Sequence, residues 1–145
     1  MDYQSMKADA DRRYKSFLNL LHPVIEIGMG TCGGAAGAEK IDAAVENFLK
    51  QRGMLGRIIH VGCIGMCYLE PIMALRKPHR PLIYYGNLTP EKTEEILASY
   101  LIKDDPNIPL ATCTIGRESI NGIPSFSDLP MIKPQVRIAL RNCGL

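Results

Sequence analysis

Tyr14, Phe17, Leu18 and Leu21 are spaced i, i+3, i+4, i+7, which places them on one face of a helix within residues 1–22. Pro23 ends that helix. The run Pro23-Val24-Ile25-Glu26-Ile27 that follows is short and β-branched and predicts a strand. A glycine-rich stretch, Gly28 to Gly37, leads into a long helix with Ile41, Ala44, Val45, Phe48 and Leu49 on one face and Gly53 as its stop. Arg57–Val61 is a second strand and runs into the loop Gly62-Cys63-Ile64-Gly65-Met66-Cys67. Pro71–Leu75 and Pro81–Tyr85 are two more strands, joined as a hairpin through Lys77-Pro78-His79-Arg80. A last helix opens at Thr89-Pro90-Glu91. Thr89 suits the N-cap, Pro90 the first helical position and Glu91 the positive end of the dipole. Its buried stripe is Thr93, Ile96, Leu97, Tyr100 and Leu101.

The order helix, strand, helix, strand, strand, strand, helix predicts an α/β fold. A parallel strand–helix–strand unit, a hairpin and a covering helix make a small mixed sheet with flanking helices, which is thioredoxin-like topology over residues 23–103. Residues 104–132 hold Pro106, Pro109, Pro124 and Pro130 and keep no period, so they are read as an extended C-terminal arm. From Pro134 the arm becomes helical, with Val136, Ala139, Leu140 and Cys143 on one face and Gly144 as the stop. A helix of ~11 residues is marginal alone. Residues 104–145 are therefore expected to lead towards a second domain that is absent or separate, or to dock on a partner.

Composition narrows the class. Hydrophobic residues make up 46% and charged residues 22%, as in ordinary globular chains. No apolar run approaches the ~20 residues of a membrane span, and the first fifteen residues lack the apolar core of a secretory signal. A net charge of +2 is too weak to suggest nucleic acid. Five cysteines are too few for a disulfide scaffold and odd in number. The expected location is the cytoplasm, where thiols stay reduced and serve as core, catalytic or metal-binding groups.

Three of those thiols fall at one end of the predicted sheet. Cys32 follows the first strand and opens a helix, while Cys63 and Cys67 follow the second. Parallel strands joined by a crossover end on the same edge, so the three are expected to converge. They lie in glycine-rich loops rather than on an apolar stripe. Thiolates are the ligands of Fe–S clusters, and backbone N–H groups at Gly30, Gly33 and Gly65 can approach an anionic cluster closely. Ile64, Met66 and Tyr68 are expected to shield it. Cys113 and Cys143 fit buried core positions better.

Other chemistries fit less well. Gly28-x-Gly30-x-x-Gly33 follows a strand and opens a helix, as dinucleotide fingerprints do. The acidic residue expected at the end of the second strand is replaced by Gly62-Cys63. A thioredoxin-type redox pair is spaced C-x-x-C, one residue closer than Cys63 and Cys67. Zinc needs four N/S ligands, and His22, His60 and His79 have no matching spacing.

The segments GMGTCGGAAGA (28–38), VGCIGMCYLEP (61–71), YGNLTPEK (85–92) and QVRIALRNCG (135–144) resemble the N-terminal region of a family. These are the NADH-binding flavoprotein subunits related to complex I, found in NAD-dependent or bifurcating hydrogenases and formate dehydrogenases. The resemblance implies a thioredoxin-like [2Fe–2S] ferredoxin domain that relays single electrons near a flavin, within a redox complex of iron–sulfur subunits. FMN and NADH belong to the associated flavoprotein domain, so this chain is not expected to oxidise NADH alone. The family pattern is C-x4-C followed by C-x3-C. Cys32 matches the second ligand, and Cys63 and Cys67 the third and fourth; the first falls at Ile27. Two expectations follow. Either a fourth ligand comes from elsewhere, with Cys113 on the arm as one candidate, or the domain is a cluster-free docking module of the same complex.

Overall fold

The computed structural model describes residues 2–18, 21–115, 120, 122–141 and 143, with the backbone alone described for 16–18. Five strands form one sheet in the order β2-β1-β3-β4-β5. They are β1 (Val24–Gly28), β2 (Arg57–Val61), β3 (Met73–Arg76), β4 (Leu82–Tyr85) and β5 (Ala111–Ile115). The β1–β2 pair is parallel, with Ile27 opposite His60, and the remaining pairs are antiparallel. The helices are α1 (Tyr3–Leu18), α2 (Thr31–Ala36), α3 (Ala38–Gln51) and α4 (Pro90–Leu97).

Strand alternation sends side chains to opposite faces of the sheet. Ile25, Ile27, Met73, Leu75, Ile83 and Tyr85 meet the α3 and α4 stripes in the main core, where Ile41, Val45, Phe48, Ile96, Leu97 and Tyr100 are all buried as their spacing predicts. Thr89 caps α4 by accepting from Lys92 N at 3.3 Å, behind Pro90 at the first position. Beyond Leu97 the helix continues as one wider turn, Ala98–Ile102, which keeps Tyr100 inside. The opposite face carries Ala74, Leu82, Tyr84 and Cys113 and is covered by Ile64, Met66 and Ile72, with Phe126 and Leu129 against them.

Three expectations need correction. The single helix expected between β1 and β2 is two: the long helix forms after the glycine stretch as α3, as expected, and a short α2 precedes it within that stretch, with Gly37 at φ 91° turning the chain between them. The stretch read as an extended arm contributes β5, which pairs with β4 and places Thr114 opposite Ile83. Its signal was weak because Ala-Thr-Cys-Thr-Ile has only one large apolar residue, and its burial comes from covering the β4 edge. The helix expected from Pro134 is instead a series of turns among the described residues. Val136 is 86% exposed and Ile138 78%, so no apolar face is available to offset the cost of a short helix. Gly144, its predicted stop, lies outside the described residues, as do the side chains of Phe17 and Leu18 on the predicted α1 face. The remaining described side chains of α1 are exposed, apart from half-buried Asp9. No helix among the described residues is long and apolar enough to cross a membrane.

Candidate metal centre

The sequence C-I-G-M-C alternates like a strand although it forms a loop. Ile64 and Met66 are buried in the second core, and Cys63, Gly65 and Cys67 are left on the outer side. The expectation that Ile64 and Met66 cover the thiols is therefore replaced by a different role, anchoring the loop from beneath. Tyr68 is 56% exposed.

Gly65 has φ 88°, a left-handed conformation that an L side chain enters with strain, and it turns the loop between the two cysteines. Its N–H donates to Cys63 Sγ at 3.2 Å. Gly30 and Gly33 act by lacking a Cβ. At Gly30 a Cβ would lie 3.2 Å from Cys63 N, so glycine lets the α2 start approach the β2 loop. At Gly33 a Cβ would collide with the Gly28 carbonyl, so glycine lets α2 lie directly on the end of β1. These close approaches bring Cys32, the second residue of α2, to the cysteines of the loop.

The thiols converge as predicted. Cys32 Sγ donates to Cys67 Sγ at 3.1 Å, and Cys63 and Cys67 sulfurs are 3.3 Å apart. All three sulfur atoms lie within 4.8 Å of one another, and no other such group of histidine, cysteine or carboxylate donors exists among the described residues. Cys32 and Cys63 are half-buried and Cys67 is exposed. The Gly65 N–H draws the Cys63 pKa down. Burial, the bond shared with Cys67, and the nearby charges of Cys67 and Glu70 outweigh it, so the thiol lies above its ordinary value.

Ile27, at the place of the family's first ligand, is fully buried and points into the main core with Ile25. Cys113 is no replacement. It is fully buried in the second core opposite Tyr84, and burial pushes its thiol up to about 12. Cys143 is half-buried in the C-terminal turns, outside the thiol group. His60 pairs with Asp42 on α3, Nε2 to Oδ2 at 3.0 Å, and belongs to the sheet face rather than the site.

Two residues near the thiols carry no local sequence signal. Glu70 is half-buried, and its carboxylate accepts from Ile72 N at 3.0 Å. It lies 3.1–3.3 Å from where Cβ atoms at Gly28 and Gly33 would stand. Burial raises its pKa against the pull of the Ile72 N–H. Arg137 reaches back from the C-terminal turns and donates from Nη2 to the Ile64 carbonyl at 2.7 Å. Neither contact follows from a period or a motif, because each depends on how distant segments meet.

No family model matches the chain. Over 84 residues it is 24% identical to NADP-reducing hydrogenase subunit HndB from Solidesulfovibrio fructosivorans, covering 57% of this chain and 67% of that protein. Among solved structures it is similar to a thioredoxin-like [2Fe–2S] ferredoxin from Aquifex aeolicus, at TM-score 0.55 and 18% identity, over 67% of this chain and 96% of the other. The wild-type crystal structure of that ferredoxin gives TM-score 0.53 at 18% identity, over 63% and 97% of the two chains. The chain thus shares the thioredoxin-like α/β fold of those ferredoxins, the fold expected from its order of elements.

Proposed function

We propose that the chain is an electron-transfer module that holds a [2Fe–2S] cluster on Cys32, Cys63 and Cys67. The observation that carries this reading is the meeting of three sulfur atoms, one from the start of α2 and two from the loop after β2, at one rim of the sheet. A purely soft donor set suits iron–sulfur chemistry and excludes oxygen-seeking cations such as Mg2+ or Ca2+. When bound, such a cluster accepts and releases one electron at a time. The chain's own contribution is to hold the ligand loop through buried Ile64 and Met66, to aim the Gly65 N–H at Cys63, and to keep one side of the site open at Cys67. The fourth ligand lies outside the thiol trio.

The similarity to a hydrogenase subunit supports a place in a multisubunit redox complex, and the motif resemblance suggests a flavoprotein domain carrying FMN and NADH as its electron partner there. Five free cysteines suit the reducing cytoplasm. A second reading rests on Ile27. With that ligand position filled by core packing, the domain serves as a cluster-free docking module of the same complex.

Anaerobic purification followed by iron and acid-labile sulfide analysis separates the two. About two irons and two sulfides per chain with visible absorbance support the cluster. The Cys63→Ser variant then loses most of both. A colourless, iron-free chain after reconstitution with ferrous iron and sulfide leaves only the docking module.

A further inference from the structure

One peptide unit, between Ile64 and Gly65, sits at the centre of the ligand loop. Its N–H, on Gly65, donates to Cys63 Sγ at 3.2 Å. Its carbonyl, on Ile64, accepts from Arg137 Nη2 at 2.7 Å. A single planar amide therefore links a guanidinium to one of the three converging sulfurs. Amide resonance couples the two ends. A cation on the oxygen draws density from the nitrogen and makes the N–H a stronger donor, as in polarised hydrogen-bond chains.

Arg137 is held for this contact. Its Cζ stands 5.0 Å from the Phe126 ring centroid, and Nη2 also reaches the Leu140 carbonyl at 3.4 Å. Its Nη1 is buried without a hydrogen-bond partner among the described residues. That nitrogen lies 3.6 Å from where a Cβ at Gly65 would stand, with Leu140 Cδ1 at 3.1 Å from the same point. The C-terminal turns thus press a positive charge against the loop, where partial burial limits screening by water.

We propose that Arg137 is a positioning residue for the cluster: through the Ile64–Gly65 peptide it fixes and strengthens the hydrogen bond to Cys63 Sγ and so raises the cluster's reduction potential. This rests on the cluster reading above. One-electron reduction adds a negative charge to the site. A stronger donor to a ligand sulfur and a nearby cation both favour the reduced form.

The test uses the full chain, loaded anaerobically, as wild type, Arg137→Gln and Arg137→Lys. Iron content, thermal midpoint and an EPR-monitored dithionite titration are recorded for each. Arg137→Gln is expected to retain the cluster with its one-electron reduction disfavoured at least threefold, about 28 mV at 59 mV per tenfold. Arg137→Lys, which keeps the charge but loses the fork, falls between the two. An iron-loaded Arg137→Gln with the wild-type potential overturns the inference, even if its thermal midpoint drops, because that is what a purely structural role gives. Should Arg137→Gln not hold a cluster, Arg137→Lys decides: a potential below wild type supports the inference and an unchanged one overturns it. A wild-type chain that takes up no iron sinks the cluster reading itself, and the inference with it.

Discussion

Glu26 stands at the middle of β1 with 2% of its surface exposed. Strand alternation turns it away from the α3 and α4 core, onto the face that also carries Ala74 and Tyr84. Its Oε1 is 3.9 Å from Arg76 Nη2, too long for a hydrogen bond, and Oε2 has no partner among the described residues. Burial therefore outweighs the pull of Arg76 and raises the carboxyl from 4.5 to about 7. The folded chain holds this proton where the unfolded chain has released it. Stability is then fullest below pH 4.5 and declines as pH rises through about 7, the reverse of a salt-bridged carboxylate. The total is on the order of 3 kcal/mol, at about 1.4 kcal/mol for each tenfold change in proton affinity. Glu26→Gln keeps the shape without the charge. Urea denaturation across this range should show wild type losing stability while the variant stays level and exceeds it above pH 7. A wild-type profile with no decline would show that the carboxylate finds a solvating partner in solution.

At the scale of elements, the sequence was legible wherever a single segment decides its own structure. The α3 stripe, the Thr89-Pro90 start of α4 and the Lys77–Arg80 hairpin turn all form where local pattern places them. The thiol site was legible for another reason: Cys32 and the Cys63–Cys67 pair follow two parallel strands joined by a crossover, and that topology alone brings their ends together. The fold's edge was not legible. Strand β5 has little apolar character of its own and exists because β4 offers an unpaired edge. The turns carrying Arg137 are likewise set by the surface they meet. Cys113 reports on β5 directly. Buried among Tyr84, Ala74 and Leu82, its thiol is protected both by position and by a pKa pushed up to about 12. In the cluster-free chain, maleimide labelling read by peptide mass spectrometry should modify Cys32, Cys63 and Cys67 at least ~100-fold faster than Cys113, which reacts only on global opening. Labelling of Cys113 at the rate of the other three would show β5 detached in solution.

At the scale of the whole molecule, the body and its first helix are unequal partners. The sheet is closed on one face by α3 and α4 and on the other by the Cys63–Cys67 loop and the turns around Phe126 and Leu129. Lys77 and Arg80 on the hairpin turn both pair with Asp104, which ties β3 and β4 to the segment that leads to β5. Each of these contacts joins segments distant in sequence, so loosening one loosens the cooperative unit and the thiol rim with it. Helix α1 makes a different kind of contact. Its ion pairs, Asp9 with Arg12 and Arg13, are internal, and Tyr3, Met6 and Tyr14 are all more than half exposed. Deleting residues 2–15 should therefore change the urea unfolding free energy by no more than ~0.5 kcal/mol, the scale of surface changes that touch no core. The iron content of a loaded chain should be unchanged, since none of the three thiols depends on α1. A loss of more than about 2 kcal/mol, the size expected when buried apolar contacts are removed, would show that α1 docks on the body in solution. Its exposed aromatic side chains would then be part of the fold rather than a free amphipathic surface.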